Sequence, residues 1–200
     1  MRLIQAFIAI VLSVQSFGQD VMYDICPIKN SEEIPKSIVF DTVGNKVELK
    51  EYIGRRPAVV VFYRGGWCPY CTRHLSALHE IKNEIKDLGF ELIAITPDSF
   101  NRLDSSIVRG SVDYTLFSDK DINAITNFGI GWNVSEKLYE KYKNQYGMDV
   151  EWWSGEKHHV LPVPAVFIIK DGEIQYQYVN PDYSKRLSPD VLLTLIKSIN

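Results

Sequence analysis

Three cysteines, Cys26, Cys68 and Cys71, carry the most reactive side chains of this 200-residue sequence, and two of them stand in Trp67-Cys68-Pro69-Tyr70-Cys71. A thiol attacks only as the thiolate, and an unperturbed cysteine with a pKa near ~8.5 is ionised to roughly a few per cent at neutral pH. A cysteine just ahead of a helix faces unpaired backbone N–H groups and the positive end of the helix dipole, both of which favour the thiolate. Cys68 has that position, because Pro69 suits the first helical turn. Cys71, three residues on, falls on the same side, in reach of a mixed disulfide or sulfenic acid on Cys68. The spacing predicts a two-cysteine cycle in which Cys68 attacks and Cys71 resolves.

Four residues upstream belong to the same mouth. Arg64 would stabilise the thiolate or polarise a peroxide oxygen, or would be only a solvated charge; Gly65 and Gly66 allow positive φ and N–H groups aimed at a substrate; Trp67 would shield the site or cover a core edge. Two bland readings of the cysteine pair stand beside the redox one: a static disulfide, and a zinc half-site built from Cys68-x-x-Cys71-x-x-His74 with His79, His158 or His159. The second pair lacks zinc-site spacing. Neither a metal nor a cofactor is therefore expected. Cys26 reads as a spare thiol, although its place ahead of the core leaves an interchain disulfide, and so a homodimer, open.

The elements that must position these thiols follow from pattern. Residues 38–49 form two β-rich runs around Gly44-Asn45, a hairpin signal. Pro57 to Tyr63 is a continuous β-branched and aromatic run, as in a strand buried on both faces. Leu75, Leu78, Ile81, Ile85 and Leu88 mark one face of a helix that Gly89 ends. A strand over 90–96 follows, then a helix to Arg109 capped by Asp98 or Ser99, a strand over 114–117, and a brief helix from Asp119 or Asp121 to Asn127. A less regular stretch from Trp132 to Val160 has one helix near 135–146 and an apparent insertion bearing Trp152-Trp153 and His158-His159. A hairpin over 163–179 and a terminal helix on Val191, Leu192, Leu195, Ile196 and Ile199 close the chain. A Cys-x-x-Cys where the first strand gives way to its helix, within this βαβ alternation, points to an α/β, thioredoxin-like three-layer sandwich with an N-terminal β-hairpin and a central mixed sheet. In that fold the bond before Pro164 is cis and exposes Val163 backbone atoms beside the thiols.

The opening residues differ from the rest. Arg2 followed by the apolar run Leu3–Val14 and small residues at Ser16 and Gly18 reads as a signal peptide over 1–18, ahead of an irregular arm at 19–36 and one domain at 37–200. The run is short of the roughly 20 residues that span a bilayer, so no stable membrane insertion is expected after cleavage, and the product is exported, periplasmic or secreted. A formal net charge of −3 with no run of like charges argues against nucleic acid as a partner.

Val59-Val60-Val61-Phe62-Tyr63-Arg64-Gly65-Gly66-Trp67-Cys68-Pro69-Tyr70-Cys71 resembles the AhpC/TSA peroxiredoxin superfamily, in particular its peroxiredoxin-like branch with a Cys-x-x-Cys site. So do Ile95-Thr96-Pro97-Asp98-Ser99, Leu116-Phe117-Ser118-Asp119, Leu161-Pro162-Val163-Pro164-Ala165 and Asn180 to Leu187. The resemblance implies a thioredoxin fold and thiol-based reduction of hydroperoxides or disulfides, with Cys68 attacking and Cys71 as its partner, and a thioredoxin-like reductant. The chain departs from the family where peroxiredoxins carry Pro seven and Thr or Ser three residues before the attacking cysteine; here stand Val61 and Gly65. Arg186 is a candidate for a second guanidinium, without a motif match. Three functions follow as expectations: an exported thiol-dependent peroxidase; a thiol-disulfide oxidoreductase acting on protein disulfides; and a non-catalytic interaction module that uses the Trp152-Trp153 insertion.

Overall fold

A computed structural model describes residues 25–110 and 112–199; the expected signal peptide lies outside the described residues. The N-terminal hairpin is β1 (Ile38–Phe40) and β2 (Lys46–Glu48), followed by a short α1 (Leu49–Ile53) that pattern did not signal. Glu48 makes this helix, its carboxylate accepting from the N–H groups of Lys50 and Glu51. β3 (Ala58–Phe62) leads through residues 63–68 into α2 (Pro69–Glu80) and α3 (Lys82–Asp87). The single helix expected over this stretch breaks at Ile81, whose backbone leaves the helical region at φ −104°, ψ 6°.

β4 (Glu91–Thr96), a 3₁₀ turn (Phe100–Arg102) and α4 (Leu103–Gly110) come next, then β5 (Thr115–Ser118) and α5 (Asn123–Asn127). Asp119 opens α5, accepting from the N–H groups of Ala124 and Ile125 at 3.0 and 2.7 Å. The less regular stretch holds the expected helix, α6 (Glu136–Tyr146), and beside it β6 (Gly131–Asn133), α7 (Val150–Ser154) and β7 (Val160–Pro162), the two strands pairing antiparallel. β8 (Ala165–Lys170), β9 (Glu173–Val179) and α8 (Pro189–Ile199) finish the chain.

The main sheet runs β2-β1-β5-β4-β3-β8-β9, with β3, β4 and β5 mutually parallel and the other pairings antiparallel. Side-chain alternation along β3 divides the core. Val59 and Val61 face a layer holding Leu75 and Leu78 of α2, Leu103 of α4 and Leu192, Leu193 and Ile196 of α8. Val60 and Phe62 face the opposite layer, with Leu49 and Ile53 of α1 and Ala124 and Ile125 of α5. This is the thioredoxin-like α/β sandwich with a mixed central sheet. On α8 the buried stripe is Leu192, Leu193 and Ile196, whereas Val191, expected inside, is 47% exposed; the i, i+1, i+4 set is the one that faces the sheet. The arm at 25–36 is irregular but anchored: Cys26 and Ile28 N–H groups donate to Gly129 and Phe128, and Ile34 is buried against the second layer.

Candidate active site

β3 ends at Phe62 and α2 begins at Pro69, so the six residues between carry the chain from the buried sheet to the site. Gly65 adopts φ +151°, and a Cβ there would lie 2.2 Å from Trp67 Nε1 and 2.7 Å from Asp98 Oδ1; only glycine fits. The loop closes as a turn in which the Cys68 N–H donates to the Gly65 carbonyl at 3.1 Å. The Gly66 N–H, expected to aim at a substrate, instead donates inward to Asp98 Oδ2 at 2.7 Å. Asp98 is thereby the anchor of the loop and not a helix cap, and Ser99 at the start of the 3₁₀ turn also makes no side-chain cap. Full burial pushes the Asp98 carboxyl up to about 8, against the lowering effect of the Gly66 N–H.

Cys68 occupies the N-cap position of α2, with extended backbone at φ −86°, ψ 114°, and its carbonyl accepts from the Cys71 and Thr72 N–H groups. The residue is 2% exposed but lines an open cavity of about 310 Å³, together with Arg64, Trp67, Tyr142, Met148 and Tyr183. The Cys68 pKa falls to about 6. The largest cause is a hydrogen bond from the Cys71 side chain, opposed by burial and assisted by the Arg64 guanidinium, the Cys71 N–H and Arg186. Cys71 is fully buried, and burial together with its role as donor to Cys68 pushes its own pKa well up.

Arg64 is no solvated charge. It is 3% exposed, its Nη2 donates to the Tyr142 hydroxyl at 2.9 Å, and its guanidinium lies 5.1, 5.3 and 4.6 Å from the ring centroids of Trp67, Tyr142 and Tyr183. Trp67 both covers the core edge and walls the cavity. Val163 is buried in the same cluster as both cysteines. The Val163–Pro164 bond, expected cis, is trans, as are all the described peptide bonds. The reason is the insertion: β6 and β7 pair Gly131 with Pro162, and the Val163 N–H extends that ladder to the Ile130 carbonyl at 2.8 Å.

Three residues of the site were not legible as such: Tyr142 and Met148 come from the insertion and Tyr183 from the loop before α8. Arg186, the candidate second guanidinium, lies on that same loop. Arg186 Nη2 lies 3.4 Å from Cys71 Sγ, so the second guanidinium reaches the deeper sulfur. His74 shares α2 with the cysteines, and its Nε2 meets the Leu187 carbonyl at 3.1 Å. The Cys-x-x-Cys-x-x-His spacing was the signal for its position, and burial pushes it down to about 4. Of the insertion's other candidates, Trp152 is 56% exposed beside Arg102, while His159 stacks on Tyr139 and pairs with Glu151. Cys26 is an exposed free thiol. A larger cavity, about 620 Å³, opens at the other end of β3 and β4 among Arg56, Lys82, Glu91 and Asp113; its charges pair among themselves, as Arg56–Glu91 and Lys82–Asp113, and no cysteine lines it.

A buried dithiol at the head of the helix that follows a central strand, in this order of strands, defines a thioredoxin-like redox protein. A sequence profile of the AhpC/TSA family matches residues 31–177, and the chain belongs to that family. It is similar to peroxiredoxin Bcp of Escherichia coli (strain K12), 29% identical over 116 residues, which are 58% of this chain and 73% of that protein. It is also similar to thiol-disulfide oxidoreductase ResA of Bacillus anthracis, 26% identical over 157 residues, 78% of this chain and 73% of that protein. Among solved structures, reduced Prx3 from Vibrio vulnificus in complex with hydrogen peroxide superposes with a TM-score of 0.68 at 12% identity, covering 84% of this chain and 99% of that one. Peroxidoxin BcpB from Mycobacterium tuberculosis does so at 0.64 and 16%, covering 86% and 99%. The structural likenesses carry the fold; the family makes the chain an enzyme of thiol redox chemistry, a peroxidase or a thiol oxidoreductase.

Proposed function

We propose that this protein is an exported thiol-dependent peroxidase in which Cys68 attacks a hydroperoxide and Cys71 resolves the product. The observation that carries this reading is Cys68 at the N-cap of α2 lining a cavity together with Arg64, with the fully buried Cys71 three residues on, an arrangement that favours the Cys68 thiolate. The Cys68 thiolate attacks the terminal hydroxyl oxygen of the peroxide: an S–O bond forms, the O–O bond breaks, and the alkoxide or hydroxide leaves and takes up a proton. Cys71 then attacks the sulfenic sulfur, the S–S bond forms and water departs. An external dithiol of thioredoxin type returns both sulfurs to the reduced state. Arg64 balances the thiolate charge, Gly65 and Gly66 shape the loop, and Trp67, Val163 and Pro164 enclose the pair. In this reading residues 1–18 are the leader, 19–36 the arm and 37–200 the catalytic domain, placed in the periplasm or outside the cell without membrane insertion. The apolar run at 3–14 supports it. The exposed Cys26 sulfur offers a route to a disulfide-linked homodimer.

A specific observation also favours exchange with protein disulfides. Gly65 stands where a peroxide-holding hydroxyl is expected, and the Thr72 hydroxyl is engaged with the Pro69 carbonyl at 3.1 Å. Reduced protein mixed with hydrogen peroxide, and separately with an oxidised dithiol, separates the two. Peroxide consumption that needs Cys68, and yields a Cys68–Cys71 disulfide by mass spectrometry, is the expected result. Turnover of the dithiol alone moves the assignment to the exchange reading, and Cys68→Ser retaining turnover with either oxidant would remove both.

A further inference from the structure

Cys71 and His74 lie one turn apart on the same side of α2, and both meet the segment before α8. Arg186 Nη2 donates to Cys71 Sγ at 3.4 Å, while His74 Nε2 lies 3.1 Å from the carbonyl of the next residue, Leu187. A carbonyl only accepts, so the imidazole is neutral or charged with its proton on Nε2; burial, which pushes its pKa down to about 4, makes it neutral at working pH. The guanidinium is oriented further by its own loop, Nη1 donating to the Lys185 carbonyl at 2.7 Å and to that of Tyr183. The segment thus contacts α2 through a pair of adjacent residues, one contact made by the resolving sulfur and the other by a histidine with no part in the sulfur chemistry.

We propose that His74 is a positioning residue for the second half of the cycle: its bond to Leu187 holds Arg186 against Cys71, so that this guanidinium carries the resolving thiolate once Cys68 has been oxidised. The inference rests on the two-cysteine reading above. In the reduced enzyme the Cys68 thiolate and its hydrogen bond keep the Cys71 proton in place. Oxidation replaces that anion by a neutral sulfenic acid. The charged or titratable groups then facing Cys71 are Arg186 from the loop, Arg64 from the cavity, and Asp98 and Tyr63, whose pKa values burial raises, from the strand ends. Two cations with no thiolate between them favour loss of the Cys71 proton. The Cys71 thiolate attacks the Cys68 sulfur, the S–S bond forms, the S–O bond breaks, and the departing hydroxide takes up a proton as water. The arginines act as shared counter-ions, first for one sulfur and then for the other.

The test is rapid mixing of the reduced full chain with hydrogen peroxide, with a 1,3-dicarbonyl trap and mass spectrometry following sulfenic acid and disulfide against pH. Arg186→Gln is expected to slow disulfide closure by about tenfold near neutral pH and to move its pH midpoint up by about one unit, since one pKa unit is a tenfold change in thiolate fraction. His74→Leu should reproduce that shift, His74→Gln, whose amide can still donate to Leu187, should recover most of it, and the double variant His74→Leu/Arg186→Gln should be no slower than Arg186→Gln. Additive slowing in the double variant, or a His74→Leu enzyme with lowered Tm and an unmoved pH midpoint, overturns the proposal. If the wild type forms no sulfenic acid, the peroxidase reading fails on its own; closure is then read from the mixed disulfide that Cys68 forms with an aromatic disulfide, and the same comparisons decide.

Discussion

Two thiols three residues apart are driven to opposite protonation states by what each touches. Cys68 is lowered to about 6 by the Cys71 hydrogen bond and the guanidiniums, and Cys71 is raised by burial and by serving as that donor. Alkylation of reduced protein followed by mass spectrometry should therefore show Cys68 modified with a midpoint near pH 6 and Cys71 resistant through neutral pH. Arg64→Gln should move the Cys68 midpoint upward; an unmoved midpoint would mean that Arg64 serves packing alone. Asp98 supplies a second test. Its folded value of about 8 lies above the ordinary 3.8, so the folded state keeps a proton that the unfolded chain gives up across that window. Its contribution is full below pH 3.8 and is lost as pH rises to about 8, at up to about 1.4 kcal/mol per pH unit. Asp98→Asn retains an acceptor for the Gly66 N–H and removes the titration. In urea unfolding the variant should gain on wild type progressively from pH 5 to 8, and a pH-independent difference would refute the assignment.

Elements decide where those residues meet. The loop from Tyr63 to Cys68 works because Gly65 takes φ +151° with Trp67 and Asp98 packed against its Cα. Gly65→Ala should cost about 2–4 kcal/mol through strain and the displaced indole, read as a lower urea midpoint, and should also slow Cys68 alkylation. Loss of stability with unchanged thiol reactivity would show that the loop does not position Cys68. Much of this scaffold was legible in sequence because local signals coincide: the apolar run of β3, Pro69 after Cys68, the leucine spacing of α2, Asp119 ahead of α5. What stayed hidden depends on contacts distant along the chain. The Asp98–Gly66 bond joins residues 32 apart, Arg64–Tyr142 78 apart and Arg186–Cys71 115 apart, and none leaves a periodic trace. The trans Val163–Pro164 bond belongs with these, since it accompanies the β6–β7 pairing, which joins residues about 30 apart and leaves no periodic trace in the insertion.

At the scale of the molecule, β3 separates a layer that carries the chemistry from one that carries none. Both cysteines, Trp67 and Val163 pack in the layer of α2, α4 and α8, whereas Phe62, Phe128 and Phe167 form an aromatic cluster in the other, with ring centroids 4.9–5.9 Å apart. Closely packed interiors transmit strain over short distances, but α2 is fixed from its own side by the leucines of α2 and the apolar stripe of α8. Stability and reactivity should then be separable. Phe167→Leu, which keeps volume approximately and removes two aromatic pairings, should lower the unfolding free energy by about 1–2 kcal/mol. The Cys68 alkylation midpoint of the folded variant should stay where it is in wild type. A shift in that midpoint would show that the sheet passes strain from the far layer to the thiol, and the two layers would have to be treated as one mechanical unit.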